Sequence, residues 1–290
     1  MKALYALEID RLSKSYGDFR LRDVSLALPR GTIMGLIGPN GAGKTTVIKL
    51  LLNLVHRESG GIRIFGLDIP KNEIAAKRRI GFVHDTPHFF EYLTLRRIAD
   101  TVAPFYPDWE EGAFCRLLEE FDLPPSQKFF RLSRGMKMKF SLALALAHNA
   151  DLLILDEPTS GLDPVFRRDL LSRLSGFLQD EGKSVLFSTH ITSDLERTAD
   201  YVTFLKDGAI VFSAAKDDIL NRYAVVKGGP ELLAAENRRL FAGVRKREFV
   251  VQALTADAPE VRRRLGSAAV IEKATLEDIM VYLTRETADA

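Results

Sequence analysis

The segment Gly38–Thr45 has the pattern glycine, four residues, then Gly-Lys-Thr. It lies between a strand-like run, Thr32–Ile37, and a helical pattern, Lys44–Leu54. Glycines let backbone N–H groups curl around phosphate oxygens at the electropositive start of a helix. Lys44 would face the β- and γ-phosphates, and Thr45 would bind Mg²⁺. The segment predicts a nucleoside triphosphate site, because its flanking strand and helix weigh against a chance glycine-rich turn.

Two carboxylates end a second apolar run, Leu152–Leu155. That run is typical of a buried strand, and open α/β sheets bind ligands at the carboxyl ends of their strands. Asp156 suits a contact to Mg²⁺, and Glu157 suits the polarisation of a water for attack on a γ-phosphate. The alternative is that both residues cap the next turn, and the upstream phosphate loop weighs against it.

Three further polar residues lie where a helix is predicted to begin or a strand to end. Ser133 and Gly135 open an Ala/Leu-rich helical pattern, where a hydroxyl and a helix N-terminus form an anion site; read locally, Ser133 is an ordinary N-cap. His190 follows the strand-like run Ser184–Ser188, at the sheet edge where phosphates bind, although a lone histidine is as often structural. Asp163 is predicted to cap the helix that follows it.

Apolar β-branched runs alternate with helical patterns, which indicates an α/β fold with parallel strands and crossover helices. From about residue 93 to residue 149 the strand runs stop. Amphipathic stripes replace them, with apolar residues at Leu95, Ile98, Ala99 and Val102 and at Phe114, Leu117, Leu118 and Phe121. We therefore expect an inserted helical subdomain within a first domain that spans residues 1–220.

Residues 221–290 are predicted to form a small C-terminal α+β domain. Its strand candidates are Tyr223–Val226, Glu248–Leu254 and Ala268–Ile271. Thr275 and Asp278 have the spacing of a capping box at the start of a final helix. The arginines at positions 262–264 are offset by nearby acidic residues, so a solvated helix face is favoured over a nucleic-acid patch.

The composition of the chain excludes several classes of protein. The 290 residues are 46% hydrophobic and 28% charged with a net charge of +2, which is typical of a folded chain without a nucleic-acid footprint. The single cysteine, Cys115, rules out an internal disulfide, and we expect it to be a small buried hydrophobe. No run approaches the roughly 18–20 apolar residues of a membrane span, so we expect a cytoplasmic chain.

Taken in order, these segments resemble the motifs of ATP-binding subunits of ABC transporters over about residues 3–220. The motifs that carry the resemblance are Gly38–Thr45, Leu132–Lys137, Leu152–Glu157, Ser160–Asp163 and His190. The resemblance implies a P-loop NTPase core with a parallel sheet, an N-terminal antiparallel β-subdomain and a helical subdomain. It also implies ATP and Mg²⁺ as cofactors.

The resemblance assigns roles to individual residues. The triphosphate would be held by Gly38, Asn40, Gly41, Gly43, Lys44, Thr45 and Thr46. Tyr16 would stack on adenine, with core packing as its alternative. Asp156 would support Mg²⁺, Glu157 would be the catalytic base, and His190 would sense the γ-phosphate.

The signature motif, residues 132–136, implies a second subunit. Ser133 and Gly135 would contact the ATP held by that partner, and Asp163 would link the two sites across the dimer. A complete site would then need two chains placed head to tail, as a homodimer or a closely related heterodimer.

The sequence departs from the family's pattern at three places. Asp85 stands where the family usually has a glutamine that touches Mg²⁺ and the attacking water, and a carboxylate can still bind Mg²⁺. In the signature motif, Arg134 and Met136 replace the usual third and fifth residues, a glycine and a glutamine. The altered third position bears on the contact with the partner's ATP.

The aromatic segment Pro87–Tyr92 follows Asp85. In the family the corresponding surface receives a short helix of the membrane subunit. Phe89 and Phe90 fit that surface and the core of the helical subdomain equally well.

The leading function is therefore an ATPase subunit that works with transmembrane transporter subunits at the inner face of the cell membrane. A single nucleotide-binding unit with a short C-terminal domain most resembles bacterial drug and antibiotic exporters, with importers as the alternative. A soluble ATPase acting on ribosomes or DNA is a rival, although the chain has one such unit and no coiled-coil heptads. A GTP-binding switch is a weaker rival, since no guanine-recognition motif is found.

Overall fold

A computed structural model describes residues 4–180, 182–234, 236–246 and 250–284, apart from the side chain of Ser267. The strands are β1 Tyr5–Tyr16, β2 Phe19–Pro29, β3 Ile33–Ile37, β4 Ser59–Ile64, β5 Leu67–Asp68, β6 Ile80–Val83, β7 Leu152–Asp156, β8 Ser184–Thr189, β9 Tyr201–Lys206, β10 Ala209–Ala215, β11 Ala224–Gly228, β12 Gly243–Lys246, β13 Val251–Thr255 and β14 Ala269–Lys273.

The helices are α1 Lys44–Leu51, α2 Glu73–Lys77, α3 Leu95–Val102, α4 Glu111–Glu120, α5 Arg134–Ala147, α6 Pro164–Phe177, α7 Thr192–Thr198, α8 Lys216–Arg222, α9 Ala258–Leu265 and α10 Leu276–Thr284. Short 3₁₀ segments lie at Ala103–Phe105, Phe129–Arg131, Pro230–Leu233, Arg238–Leu240 and Gly266–Ala268. None of these helices is long and apolar enough to cross a membrane.

The central sheet has the strand order β10-β9-β3-β8-β7-β6. Its strands pair in parallel except for β10, which is antiparallel to β9. Strands β3, β7 and β8 are buried along their whole length, which explains their continuous apolar runs. Because these strands are parallel, their carboxyl ends meet at one edge, where Asp156 lies beside Ser188.

A second, antiparallel sheet with the order β2-β1-β4-β5 packs against the central one. The two share a hydrophobic core with α1, in which Leu7 and Leu28 from the antiparallel sheet meet Leu36 and Val47. The predicted fold class, an α/β core with an N-terminal antiparallel sheet, is confirmed.

Helices α3, α4 and α5 form the inserted helical region, between β6 and β7. Both predicted stripes face its core: Leu95, Ile98 and Ala99 are buried on α3, and Phe114 and Leu118 on α4. These residues belong to the same continuous core as the β7 and β8 side of the central sheet.

The expectation that Cys115 is buried is wrong. Its side chain is exposed on α4, where its thiol donates to Oε1 of Glu111 at 3.4 Å. The helix turns by about 100° per residue. Cys115 therefore points away from the stripe that Phe114 and Leu118 bury.

The C-terminal part contains a four-stranded sheet with the order β12-β13-β11-β14, in which each pair is antiparallel. The strand predicted at Glu248–Leu254 appears as β13, and Glu248 lies outside the described residues. Strand β12 has no counterpart among the predictions. A small core that includes Val226, Val251 and Val261 lies under the sheet.

Helix α10 begins with the predicted capping box. Backbone N–H of Asp278 donates to Oγ1 of Thr275, and backbone N–H of Thr275 donates to Oδ2 of Asp278, both at 3.0 Å. Oε1 of Glu196 on α7 accepts a bond from backbone N–H of Leu276 at 2.7 Å. The final helix is therefore fastened to the helix that follows His190.

Candidate functional site

The loop between β3 and α1 has the backbone that a phosphate cradle requires. Gly41 and Gly43 have φ values of 82° and 107°, in the region that glycine adopts without strain. A Cβ on Gly43 would lie 2.8 Å from Cζ of Phe19, whereas one on Gly41 would meet nothing within 4 Å. Gly41 therefore borders open space in the cradle, and Gly43 allows the first turn of α1 to pack closely.

A cavity of about 670 Å³ opens over this loop. We call it the nucleotide cavity, and it is lined by Tyr16, Phe19, Pro39, Asn40, Gly41, Ala42, Gly43, Lys44, Thr45, Thr46, Lys49, Val55, Asp85 and Glu157. Tyr16 is 42% exposed at the end of β1, so the core-packing alternative does not describe it. Its ring is available at the rim, with Nζ of Lys14 5.2 Å from the ring centre.

Lys44 is nearly buried, and its ammonium points back to the loop. Nζ donates to the carbonyl oxygen of Gly38 at 2.8 Å and to that of Pro39 at 3.4 Å. It also lies 3.6 Å from Oε1 of Glu157. A buried ammonium needs such partners, and it is the cation that a triphosphate in the cavity would meet.

A hydroxyl–carboxylate pair occupies the expected metal position. Oγ1 of Thr45 donates to Oδ2 of Asp156 at 3.0 Å, which joins the start of α1 to the end of β7. Asp156 is buried, and its other oxygen accepts a bond from Oγ of Ser188 at 2.6 Å. A hydroxyl beside a fixed carboxylate is a donor set that Mg²⁺ favours.

Glu157 and His190 lie in direct contact beside this pair. Nδ1 of His190 is 2.7 Å from Oε2 of Glu157, and backbone N–H of His190 donates to the same oxygen at 3.3 Å. Glu157 has a φ of 49°, a left-handed conformation that turns its carboxylate towards Lys44. The carboxylate of Glu157 therefore lies between the ammonium of Lys44 and the imidazole of His190.

Sequence reasoning assigned no role to Ser188. Its buried Oγ donates to Asp156 and accepts backbone N–H of Glu157 at 3.1 Å, so one hydroxyl contacts both carboxylate residues. The available signal was a hydroxyl residue at the carboxyl end of an otherwise apolar strand. Such a position is buried, so its hydroxyl must find a partner within the protein.

The signature residues lie at helix starts outside the lining of the nucleotide cavity. Ser133 caps α5, with its Oγ accepting backbone N–H of Met136 at 3.2 Å. Asp163 caps α6 by accepting backbone N–H of Val165 and of Phe166. Gly135 lies in the first turn of α5, and a Cβ there would approach Leu162 at 3.8 Å.

Asp85 lines the nucleotide cavity and contacts a residue of the signature motif. Its Oδ1 accepts a bond from Nη2 of Arg134 at 2.7 Å. A Cβ on Gly161 would lie 3.1 Å from Nη1 of the same guanidinium. Arg134 therefore touches both the loop after β6 and the loop before α6.

The donor set fits Mg²⁺ and a triphosphate. The open cradle at Gly41, the ammonium of Lys44 and the start of α1 suit phosphate oxygens. Thr45 and Asp156 would supply oxygen ligands for the metal, and Asp85 lines the same cavity. When bound, Mg²⁺ would neutralise phosphate charge and polarise the phosphoryl group.

Comparisons with known proteins identify relatives of this chain. Residues 21–160 match the family model described as "ABC transporter". The chain is 33% identical over 210 residues to the "Bacitracin transport ATP-binding protein BcrA" of Enterococcus faecalis, covering 71% of this chain and 68% of that protein. It is 32% identical over 313 residues to the "Nod factor export ATP-binding protein I" of Paraburkholderia xenovorans, covering 98% and 99%.

A solved structure is similar in the same region. The "Structure of ATP binding subunit of ABC transporter" aligns with a TM-score of 0.69 and 33% sequence identity, covering 74% of this chain and 92% of that one. Fold, sequence and site geometry point to the same family.

Proposed function

The chain belongs to the ABC transporter family, and from that premise we propose that it binds and hydrolyses Mg·ATP to drive a membrane transporter. The observation that carries the proposal is the convergence of separate segments on one cavity. The phosphate loop, the end of β7 and the loop after β6 all line it, through Lys44, Glu157 and Asp85. Each supplies the charge that its part of a Mg·ATP complex requires.

In the proposed reaction each residue of the site has a separate role. Lys44 stabilises the β- and γ-phosphates, and Thr45 with Asp156 holds the metal. Glu157 takes a proton from the attacking water, because its carboxylate lines the nucleotide cavity. His190 positions that carboxylate through its 2.7 Å contact and responds to the charge of the γ-phosphate.

The proposed working unit is a head-to-tail dimer of ATP-binding subunits. Among the described residues, the lining of the nucleotide cavity includes neither Ser133 nor Gly135 nor Asp163. A hydroxyl and a helix N-terminus at the start of α5 form an anion site that this cavity does not use. A second copy, or a close relative, would use it to close over the nucleotide.

We propose that the transmembrane subunits dock on an exposed aromatic surface in the segment that follows Asp85. Phe90 and Tyr92 are 75% and 78% exposed, and Tyr92 lies 5.8 Å from the ring of Phe130. Phe89 instead packs edge-on against Phe129 and Phe140. The core and surface alternatives for this segment therefore apply to different residues, and the exposed pair favours a partner.

The direction of transport that we propose is export. The name of the Paraburkholderia relative states that it serves Nod factor export, and that protein matches this chain along nearly its whole length. We further propose that residues 221–290 form an accessory domain of the subunit. One part of its sheet has a small core of its own, and Val225, Leu254 and Ile279 join it to the large core of the ATP-binding domain.

The test is purification of the chain with a membrane protein from its native host, followed by an ATPase assay with and without Mg²⁺. We expect Mg²⁺-dependent ATP hydrolysis and co-purification of a polytopic membrane protein. The Phe90→Ala/Tyr92→Ala variant should lose the membrane protein and keep basal hydrolysis. A chain that hydrolyses ATP but co-purifies with ribosomes or DNA would contradict the transporter function.

A further inference from the structure

Arg134 lies where a cation is electrostatically disfavoured. It is the first residue of α5, and helix N-termini carry partial positive charge that favours anions. Its guanidinium forms an ion pair with Asp85 at 2.7 Å. The chain thus brings together its two charged departures from the usual family pattern.

The two residues of this pair belong to different functional segments. Asp85 lines the nucleotide cavity of its own chain, two residues after β6. Arg134 stands beside Ser133 in the motif that the dimer would present to the partner's nucleotide. Resting on the proposed function, we propose that the Asp85–Arg134 pair is an intrachain latch that couples the metal of one nucleotide site to the signature motif of the other.

The helix that carries Arg134 is held to β6 at its other end. A Cβ on Gly81 would lie 2.7 Å from the carbonyl oxygen of Ala145, so strand and helix are in direct contact there. The Asp85–Arg134 pair closes the opposite end of the same strand and helix. Releasing the pair therefore frees the start of α5, which contains the signature motif, while the far end stays packed.

The pair is weak enough to act as a latch. The side chains of Arg134 and Asp85 are 53% and 38% exposed, and exposed ion pairs contribute little to stability. A divalent cation in the cavity attracts the same carboxylate more strongly than a guanidinium does. Mg²⁺ and Arg134 therefore compete for Asp85, and such competition is reciprocal: metal binding frees Arg134, and loss of Arg134 strengthens metal binding.

The loop before α6 would also be affected when Arg134 leaves Asp85. The Arg134 guanidinium covers Gly161, where any side chain would enter at 3.1 Å. Gly161 precedes Asp163, the residue expected to link the two sites of a dimer. Release of the latch therefore uncovers the dimer-facing loop and the signature motif together.

The test is a double-mutant cycle in the Glu157→Gln background, which removes hydrolysis from the measurement. The fluorescence of a ribose-labelled ATP analogue reports nucleotide binding while Mg²⁺ is titrated. We expect Arg134→Gln to lower the half-saturating Mg²⁺ concentration about two- to fivefold, and Asp85→Asn to raise it. The double variant should match Asp85→Asn alone, because the arginine then has no carboxylate charge for which to compete with Mg²⁺.

Arg131→Gln is the matched control, since Arg131 is exposed nearby and contacts the Phe130 ring rather than Asp85. It should leave the Mg²⁺ dependence unchanged, and Arg134→Lys should retain most of the wild-type value. An equal shift from Arg134→Gln with or without Asp85, or no shift, would overturn the latch. Failure of the Glu157→Gln chain to bind the analogue at all would instead refute the proposed function.

Discussion

The ammonium of Lys44 and the carboxylate of Glu157 lie 3.6 Å apart inside the nucleotide cavity, although 113 positions separate them in the chain (157 − 44). Both side chains are largely buried, so each charge offsets the desolvation of the other. A triphosphate that enters the cavity competes for the same ammonium. A substitution of Lys44 should therefore weaken ATP binding, whereas a substitution of Glu157 should slow hydrolysis.

Lys44→Ala is expected to weaken ATP binding by about 10- to 100-fold, because hydrogen bonds to charged groups contribute about 1.5–3 kcal/mol. Isothermal titration with ATP measures the change. Lys71→Ala is the control, since its side chain is 82% exposed and lies outside the lining of the nucleotide cavity, and it should leave the affinity unchanged. Unchanged affinity in Lys44→Ala, with a normal thermal unfolding curve, would refute the assignment of the phosphate loop.

Glu157→Gln is expected to bind ATP but to lower kcat by about 10²–10⁴-fold, because the amide keeps the shape of the side chain and loses its basicity. ATP should then trap a dimer that elutes earlier in size-exclusion chromatography. Wild-type turnover in this variant would remove Glu157 from the catalytic role.

Asp85→Gln is expected to raise the Mg²⁺ concentration that gives half-maximal ATPase, because a carboxylate attracts the metal more strongly than an amide. Nucleotide affinity without metal should stay equal or improve, since a negative charge near the γ-phosphate is removed. Asp85→Ala should lower turnover more than Asp85→Gln does. Three superimposed Mg²⁺ curves would exclude Asp85 from the metal site.

Ser188→Ala is expected to raise the half-saturating Mg²⁺ concentration about 5- to 30-fold, because Asp156 loses a hydrogen bond of about 1–2 kcal/mol that fixes its carboxylate. Ser184→Ala on the same buried strand is the control, since its hydroxyl bonds backbone N–H of Gly31 instead. Equal Mg²⁺ dependence in both variants would show that Ser188 has no influence on the metal position.

His148 gives a prediction about pH. Burial lowers the pKa of its imidazole from 6.5 to about 4, and the Tyr106 ring stacks on it at 3.9 Å. Between these pH values the unfolded state binds more protons, so the free energy of unfolding should fall as pH drops from 6.5 to 4. We expect the titration of His148 to lower the free energy of unfolding at pH 4 by an amount of the order of 1–3 kcal/mol.

Urea unfolding from pH 7 to pH 4 checks this expectation, with His148→Gln as the comparison. The variant should lose part of the pH dependence between pH 6.5 and pH 4. An identical slope in both proteins, or a folded-state NMR titration of His148 near 6.5, would contradict it.

The sequence by itself determined the α/β fold class and the local parts of the site. Apolar runs such as Leu152–Leu155 identify buried strands. The phosphate loop and the capping residues act on neighbours a few positions away, so short segments of sequence are enough to predict them. The antiparallel sheet came only from the family resemblance. Strands β1 and β2 pair locally across a tight turn, but the pairing of β1 with β4 joins segments that are distant in the chain.

Tertiary structure alone decided which distant residues meet. The contact of Asp85 with Arg134 spans 49 positions, and that of Ser188 with Asp156 spans 32. Side-chain direction also needed the fold, since Phe89 is partly buried and packs against the core, whereas the next residue, Phe90, is exposed. Local patterns record what each segment prefers, whereas these contacts depend on how sheet and helices pack, which no single segment encodes.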